Sequence, residues 1–173
     1  MYGNLGLRSE EIKDIEVFEK LTRINGNIWI EATDLKDINS LMNLNEFSPT
    51  SDILLISNSE LEKIDGFKNL SSNIGAIFIK DNSRLEDLSG FNNINPVDGN
   101  ISILNNGILE NLDGISNIQE TGDDAVILVW NNISLTSFCG LTKLAGTENP
   151  NFDIKENAFN PTIEEIKNGD CTM

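Results

Sequence analysis

Ile77-x-Ile79-x-x-Asn82-x-x-Leu85-x-x-Leu88-x-x-Phe91-x-x-Ile94 is the stretch of this 173-residue chain that decides the fold. The same pattern occupies residues 53–70, 101–118 and 127–144, and consecutive copies start 24 to 26 residues apart. Such a repeat stacks one unit, or rung, on the next, because a single unit cannot bury its apolar side chains alone. We therefore predict a mostly β, parallel β-solenoid that offers its partners a surface rather than a pocket.

Each rung opens with an apolar-x-apolar pair, which predicts a short strand with one face buried. Apolar residues then recur at every third position, a spacing that suits neither a strand nor an α-helix and indicates a 3₁₀-like path. A glycine precedes the third apolar residue of this path, where we expect the backbone to need conformational freedom. These glycines are Gly66, Gly90, Gly114 and Gly140.

Asparagine holds one position of every repeat, and this predicts an internal ladder of amide hydrogen bonds from rung to rung. Its short side chain bonds backbone groups and tolerates the left-handed region of backbone space. The ladder residues are Asn58, Asn82, Asn106, Asn132 and, in a truncated last copy, Asn157. A second row, interrupted by Lys143, consists of Asn43, Asn69, Asn93 and Asn117. Ligand binding by the asparagines is the less favoured alternative.

The pattern extends upstream, so that strands start at residues 5, 28, 53, 77, 101, 127 and 152. This predicts six full rungs and a partial seventh in one domain, residues 1–173, with repeats over 5–157 and a C-terminal cap over 158–173. The cap has helix punctuation: Asn160 as N-cap, Pro161 at the first helical position and Gly169 at the end. Ile163 and Ile166 share a face of this helix and are expected to close the core.

The composition is that of an ordinary folded protein, with 39% apolar and 23% charged residues. The formal net charge of -16 argues against nucleic acid and anionic lipid as partners, and it is interpreted as a solubility coat on an extracellular protein. No apolar run is long enough to span a membrane, so no membrane insertion is expected. The N-terminus lacks the features of a signal peptide, which predicts a mature product or an excised fragment.

Two cysteines, Cys139 and Cys171, allow two interpretations. They are either unrelated buried thiols or a disulfide, and we favour the disulfide because it would hold an otherwise fraying C-terminus on the last rung. A disulfide implies an oxidising compartment.

Several phrases resemble the receptor L-domain repeat. They are Leu21-Thr22-x-Ile24-x-Gly26-x-Ile28-x-Ile30, the Leu-x-Gly-Phe-x-Asn-Leu-like turns, Ser137-Phe138-Cys139-Gly140-Leu141, Asn157-Ala158-Phe159-Asn160-Pro161-Thr162 and Gly169-Asp170-Cys171. The tail phrases are similar to the C-terminal cap of bacterial cell-surface members. The resemblance implies a right-handed, leucine-rich-repeat-like β-helix with an extracellular recognition or adhesion role and without catalytic residues to transfer.

The residue types argue against an enzyme, a cofactor and a metal site. The chain has no histidine, which removes His-based triads, the most common general base and most zinc sites. It also lacks a Gly-rich phosphate loop and a cysteine cluster with metal-ligand spacing. A polysaccharide-active β-helix enzyme is a remote alternative, but it would need a charged cluster on one sheet face, where Lys80 stands alone among apolar neighbours.

The outward positions of the strands hold the candidate binding residues. The middle residue of each apolar-x-apolar pair and the residue two further on point away from the core. The apolar residues at these positions are Trp29, Leu54, Ile56, Phe78, Leu104, Leu128 and Trp130. Exposed together, they form a large patch that predicts a binding face with aromatic anchors. The alternatives are that another segment, domain or molecule covers the patch, or that the strand register is off by one residue.

The function predicted from the sequence is a secreted or cell-surface module, with an outer-membrane or periplasmic location as alternatives. It recognises protein or carbohydrate through the outer sheet face without catalysis. A structural unit that homodimerises through the same apolar face is the main alternative.

Overall fold

A seven-stranded parallel sheet dominates the computed structural model, which describes residues 2–148 and 150–173. In chain order, the strands are β1 (Leu5–Arg8), β2 (Arg23–Ile24), β3 (Ile28–Glu31), β4 (Glu46–Phe47), β5 (Ile53–Ile56), β6 (Ile77–Lys80), β7 (Ile101–Leu104), β8 (Ile127–Trp130) and β9 (Phe152–Lys155). The large sheet has the order β1-β3-β5-β6-β7-β8-β9, while β2 and β4 form a separate parallel pair. This architecture is consistent with a parallel β-solenoid.

Equivalent residues of successive repeats pair with each other across the sheet. Ile53 pairs with Ile77, which pairs with Ile101, which pairs with Ile127. The seven strand starts that the repeat spacing predicts are therefore confirmed. Because strand side chains alternate, this register places the same side of every strand on the core.

The core lies between the sheet and a series of 3₁₀ turns. Among the described residues these turns are Glu16–Phe18, Asn39–Leu41, Asp65–Phe67, Ser89–Phe91, Asp113–Ile115 and Cys139–Leu141. The inward strand residues and the third-position apolar residues of rungs two to six are buried, most of them at 0% exposure. Phe67 and Phe91 of adjacent rungs stack with ring centroids 5.6 Å apart. The period of three therefore encodes the 3₁₀ path as predicted.

The four repeat glycines are required for a different reason from the predicted one. Their φ angles lie outside the left-handed region, so conformational freedom is not what the positions need. A Cβ at Gly90 would overlap the main-chain carbonyl oxygen of Ile64 in the preceding rung, and Gly66, Gly114 and Gly140 stand in the same relation to their neighbours. Glycine allows the backbones of successive rungs to approach closely.

The left-handed residue of each rung is also not the ladder asparagine, as the sequence suggested, but the residue before it. The positive-φ residues at these positions are Ala32, Ser57, Asp81, Asn105, Asn131 and Glu156, with φ between 51° and 60°. Each directly follows a strand of the large sheet and reverses the side-chain alternation. The following residue, which is an asparagine in five of these rungs and Thr33 in the other, consequently points inward.

The inward asparagines form a continuous ladder. Asn58, Asn82, Asn106, Asn132 and Asn157 are 0–9% exposed. The backbone N–H and Nδ2 of Asn82 donate to Oδ1 of Asn106 over 3.2 and 3.4 Å, and Nδ2 also donates to the Leu55 carbonyl over 3.0 Å. Thr33 donates to Asn58 at one end of the ladder, and Asn160 accepts from Asn157 at the other.

Two further rows of side chains join rungs at the surface. Nδ2 of Asn43, Asn69, Asn93 and Asn117 each donates to a carbonyl of the preceding rung over 2.6–2.8 Å. The other row was not predicted from the sequence. In it, the side-chain oxygens of Asn4, Asn27, Asp52 and Asn100 each accept the backbone N–H at the equivalent position of the next rung over 2.7–2.9 Å. Both rows of hydrogen bonds help to fix the alignment of each rung with the next.

Two short helices, α1 (Thr142–Ala145) and α2 (Ile163–Asn168), lie at the C-terminal end. Thr162, not Asn160, is the N-cap of α2, and it forms a capping box with Glu165. The backbone and side-chain hydrogen bonds from Thr162 hold the pKa of the Glu165 carboxyl below its usual value. The prediction of Asn160 as N-cap is wrong because this side chain completes the asparagine ladder.

The prediction of Pro161 at the first helical position is also wrong, because Pro161 precedes the N-cap and the helix starts at Ile163. The end of the helix and the disulfide agree with the sequence-based prediction. Gly169 ends α2 in the left-handed conformation at φ 87°, and Ile166 is fully buried. Cys139 and Cys171 form a disulfide across 32 residues, so the alternative of unrelated thiols is wrong. In the chain-entropy model, closing a loop of this length contributes about 3 to 4 kcal/mol of stability. Among the described residues, no helix is long and apolar enough to cross a membrane.

Candidate functional site

The outer face of the large sheet consists of two rows of side chains that run across all seven strands. The first row is Gly6, Trp29, Leu54, Phe78, Ser102, Leu128 and Asp153. The second row is Arg8, Glu31, Ile56, Lys80, Leu104, Trp130 and Lys155. Strand pairing in register aligns each row, with neighbours about 4.8 Å apart.

All seven predicted binding residues lie in these two rows. The strand residues between them are 0–2% exposed over β3 to β8, so the alternative register, off by one residue, is wrong. Trp29 is 45% exposed, whereas the other six predicted residues are partly buried by their neighbours along the rows. Ser102 is only 3% exposed because the larger Phe78 and Leu128 flank it. The result is a nearly continuous apolar surface.

Trp29 is the most accessible of the seven. Its neighbour in the first row is Gly6 on the edge strand β1, which has no side chain to cover the indole ring. A shallow cavity of about 150 Å³ lies here, lined by Gly6, Leu7, Arg8 and Trp29. Trp29 can therefore pack against a partner without first breaking a contact of the fold.

Trp130 has a different environment from Trp29, although the repeat pattern gives no reason to distinguish the two tryptophans. Its indole Nε1–H donates to the Asp153 main-chain carbonyl over 3.1 Å. The Lys155 ammonium lies 3.6 Å from the centre of the ring, a cation–π contact. Both contacts hold the last strand, β9, against β8, so Trp130 contributes to the fold as well as to the face.

The outer face differs from the rest of the molecule in charge. Its two rows contain three of the 12 basic residues but only two of the 28 acidic residues. Each cation has a nearby carboxylate: Arg8 with Glu31 at 3.5 Å, Lys80 with Asp81 at 3.6 Å, and Lys155 with Asp153 at 3.4 Å. This face is close to neutral on a strongly acidic protein.

A polar rim follows the second row where the strands end. Asn105 Nδ2 donates to Asp81 Oδ1 over 2.6 Å, and Asn131 Nδ2 donates to Asn105 Oδ1 over 3.0 Å. These groups form a chain along three adjacent rungs. The rim gives the apolar face a border that can hydrogen-bond to a partner.

Ile108 and Ile133 are two further exposed apolar residues, and they lie in the turns after the inward Asn106 and Asn132. They are 47% and 69% exposed and belong to adjacent rungs. In the two preceding rungs, the positions equivalent to Ile108 hold Glu60 and Arg84, which form an ion pair. Sequence reasoning missed the two isoleucines, although each lies outside the apolar positions of the repeat and could have been found by that signal.

No grouping of side chains suited to a metal ion exists in the described parts of the chain, counting clusters of three or more Cys, Asp or Glu. The larger surface cavities lie away from the outer face. One of about 360 Å³ is lined by residues that include Glu46, Phe47 and Pro49. The geometry of the outer face suits adsorption of a partner over a flat area.

The two tryptophans are expected to differ in their effect on stability. Trp130→Ala removes a hydrogen bond, a cation–π contact and partly buried area, and should lower the free energy of unfolding by about 2 kcal/mol. Trp29→Ala should lower it by less than about 1 kcal/mol, because the side chain is already 45% exposed. Urea unfolding followed by circular dichroism measures both. Equal midpoints for the two variants would contradict the structural role of Trp130.

Comparisons of the chain with protein-family models, with curated proteins and with solved structures find no match.

Proposed function

We propose that this chain is a non-enzymatic recognition or adhesion module that binds a protein or glycan through its outer sheet face. The observation that carries the proposal is the two-row apolar surface, with Trp29 exposed at one end. The largest apolar patch on a soluble protein is often the one that serves an interaction. Tryptophan is among the side chains that supply most of the binding energy at interfaces.

The charge distribution supports the same role. Acidic side chains cover the remainder of the surface and discourage nonspecific association, whereas the outer face is nearly neutral. A partner can therefore approach this face with less repulsion than elsewhere. The amide rim formed by Asn105 and Asn131 offers hydrogen bonds for orientation.

The finer fold and the location belong to the proposal as well. The repeat and its C-terminal cap favour a right-handed, leucine-rich-repeat-like solenoid of the receptor L-domain type. The disulfide between Cys139 and Cys171 favours a secreted or cell-surface location, because such bonds persist in oxidising compartments. No cofactor or metal is required for this role.

The test is binding of the fluorescently labelled protein to a panel of neutral and acidic glycans, extracellular proteins and the immobilised protein itself. The face variant is Trp29→Ala with Phe78→Ala, and we expect it to lose at least tenfold in affinity for whatever the wild type binds. The control variant is Met42→Ala with Val17→Ala. Met42 and Val17 lie away from the outer face and are 42% and 84% exposed.

Equal losses in both variants would contradict a role specific to the outer face. A wild type that binds nothing on the panel, including itself, would count against a recognition module. Turnover of any glycan would favour the alternative of a polysaccharide-active enzyme. Thermal unfolding of each variant checks that the fold is retained.

A further inference from the structure

We propose that the partner of the outer face is a second copy of this chain, so that recognition is homophilic. The two copies are related by a two-fold axis that runs parallel to the stack of strands, between the first and second rows. This inference rests on the proposed function, because it assigns the occupant of the same face.

The axis determines which residues meet. Turning one sheet over onto the other about this axis exchanges the two rows while keeping each rung opposite itself. A first-row residue of any strand then faces the second-row residue of the same strand in the second copy. Such an interface is isologous, so every pair of contacts occurs twice.

On β9, this exchange brings opposite charges together. Asp153 faces Lys155 of the second copy, and Lys155 faces its Asp153, because the two residues occupy opposite rows of β9. Phe78 faces Lys80, both on β6, in a pairing that suits a cation–π contact. No two like charges face each other anywhere along the seven strands.

The apolar residues match in the same arrangement. Leu54 faces Ile56 on β5, and Leu128 faces Trp130 on β8. These pairs lie on either side of the contact between Phe78 and Lys80. Apolar pairs thereby flank the central pairing of Phe78 with Lys80, while the ion pairs of Arg8 with Glu31 and of Lys155 with Asp153 lie towards the two ends.

A two-fold axis that runs parallel to the strands through β6 would also bring the faces together, but the charges disfavour it. It keeps each row opposite itself and reverses the order of the rungs. Lys80 would then face Lys80 of the second copy, and Arg8 would face Lys155. Like charges directly opposite each other destabilise an interface.

Net charge also favours this face over any other for self-association. Two copies that each have a formal charge of -16 repel each other, and the outer face contains only two of the 28 acidic residues.

Seven four-residue strands span about 30 Å by 13 Å. This area belongs to the weak, transient class of interfaces, which multivalent display on a surface strengthens.

Sedimentation velocity over a wide range of protein concentrations tests the pairing. The variants are Asp153→Lys and Lys155→Asp, each of which places like charges opposite each other in its own homodimer. Each alone should dimerise at least tenfold more weakly than the wild type. Mixed in equal amounts they should regain dimerisation, because one copy then presents two ammonium groups on the outer face of β9 and the other presents two carboxylates. Lys20→Asp, outside the face, is the charge-matched control for Lys155→Asp.

Single variants that dimerise like the wild type, or a mixture that stays monomeric, would overturn this arrangement. A wild type that is monomeric throughout would overturn homophilic recognition itself. The proposed function would then be tested separately, by whether Trp29→Ala with Phe78→Ala loses affinity for a glycan or another protein. Thermal unfolding of the charge variants shows whether the fold persists.

Discussion

Gly90→Ala is expected to abolish folding or to lower the free energy of unfolding by at least about 4 kcal/mol. The added methyl group would overlap the carbonyl oxygen of Ile64 in the preceding rung. Neither atom can move away by a side-chain rotation, because both belong to, or are attached directly to, backbone that the strand register holds in place. Since whole domains are stable by only about 5 to 15 kcal/mol, this loss is a large share. Urea unfolding followed by circular dichroism measures it.

Gly107→Ala is the matched control for this prediction. A Cβ at Gly107 meets no other atom within 4 Å, and the residue does not have a positive φ angle. Its substitution should change stability by no more than about 0.5 kcal/mol. If Gly90→Ala and Gly107→Ala unfold at the same urea concentration, the explanation by close backbone approach fails.

The second large effect is expected for Asn106→Ala, which breaks the internal ladder at its centre. Nδ2 of Asn106 donates to the Ile79 carbonyl over 3.2 Å and to Oδ1 of Asn132 over 3.2 Å. Its own Oδ1 accepts the backbone N–H of Asn82 over 3.2 Å. These buried groups would lose a partner that water cannot replace, at a cost of about 1 to 3 kcal/mol for each group left unpaired. We expect a total loss of roughly 4 kcal/mol by chemical denaturation.

Asn93→Ala provides the comparison, because it removes the same amide group from an exposed position. Nδ2 of Asn93 donates to the Lys68 carbonyl over 2.6 Å, and the residue is exposed to water. Water can replace this hydrogen bond, so the loss should not exceed about 1 kcal/mol. A similar loss for Asn93→Ala and Asn106→Ala would show that burial of the ladder contributes little.

Much of the fold follows from the repeat because each rung packs mainly on equivalent residues of its neighbours. The position of Ile77 in one copy specifies where Ile53 and Ile101 must lie, and the strand register agrees. The period of three after Asn82 encodes the 3₁₀ turn at Ser89–Phe91 in the same manner. A periodic sequence therefore carries long-range information that a nonperiodic one of equal length lacks.

Where the sequence-based reasoning was wrong, the competing contact came from another rung or from the cap. Gly90 is explained by the carbonyl of Ile64, which is remote in sequence. Asn160 has the appearance of an N-cap, but the end of the ladder at Asn157 takes its side chain, and Thr162 caps the helix instead. Local sequence preferences predict that a turn or a helix cap exists better than they predict which side chain forms its hydrogen bonds.

The candidate site could likewise be predicted from the sequence only in part. Alternation along each strand was sufficient to predict that Trp29, Phe78 and Trp130 point away from the core. It could not distinguish the bare ring of Trp29 from the ring of Trp130, which Lys155 covers. That difference depends on whether the neighbouring strand supplies a glycine or a lysine beside the ring, and hence on pairing across the sheet.

By itself the sequence determined the number of rungs, the faces of the strands and the ladder asparagines, because stacking repeats the same local geometry. Only the tertiary structure decided how the charges of the outer face are arranged. Asp153 and Lys155 lie in opposite rows of β9, and Lys155 lies over the Trp130 ring, because the register sets β9 beside β8. The candidate binding surface is formed by side chains of adjacent strands, whereas the repeat is a pattern along the chain.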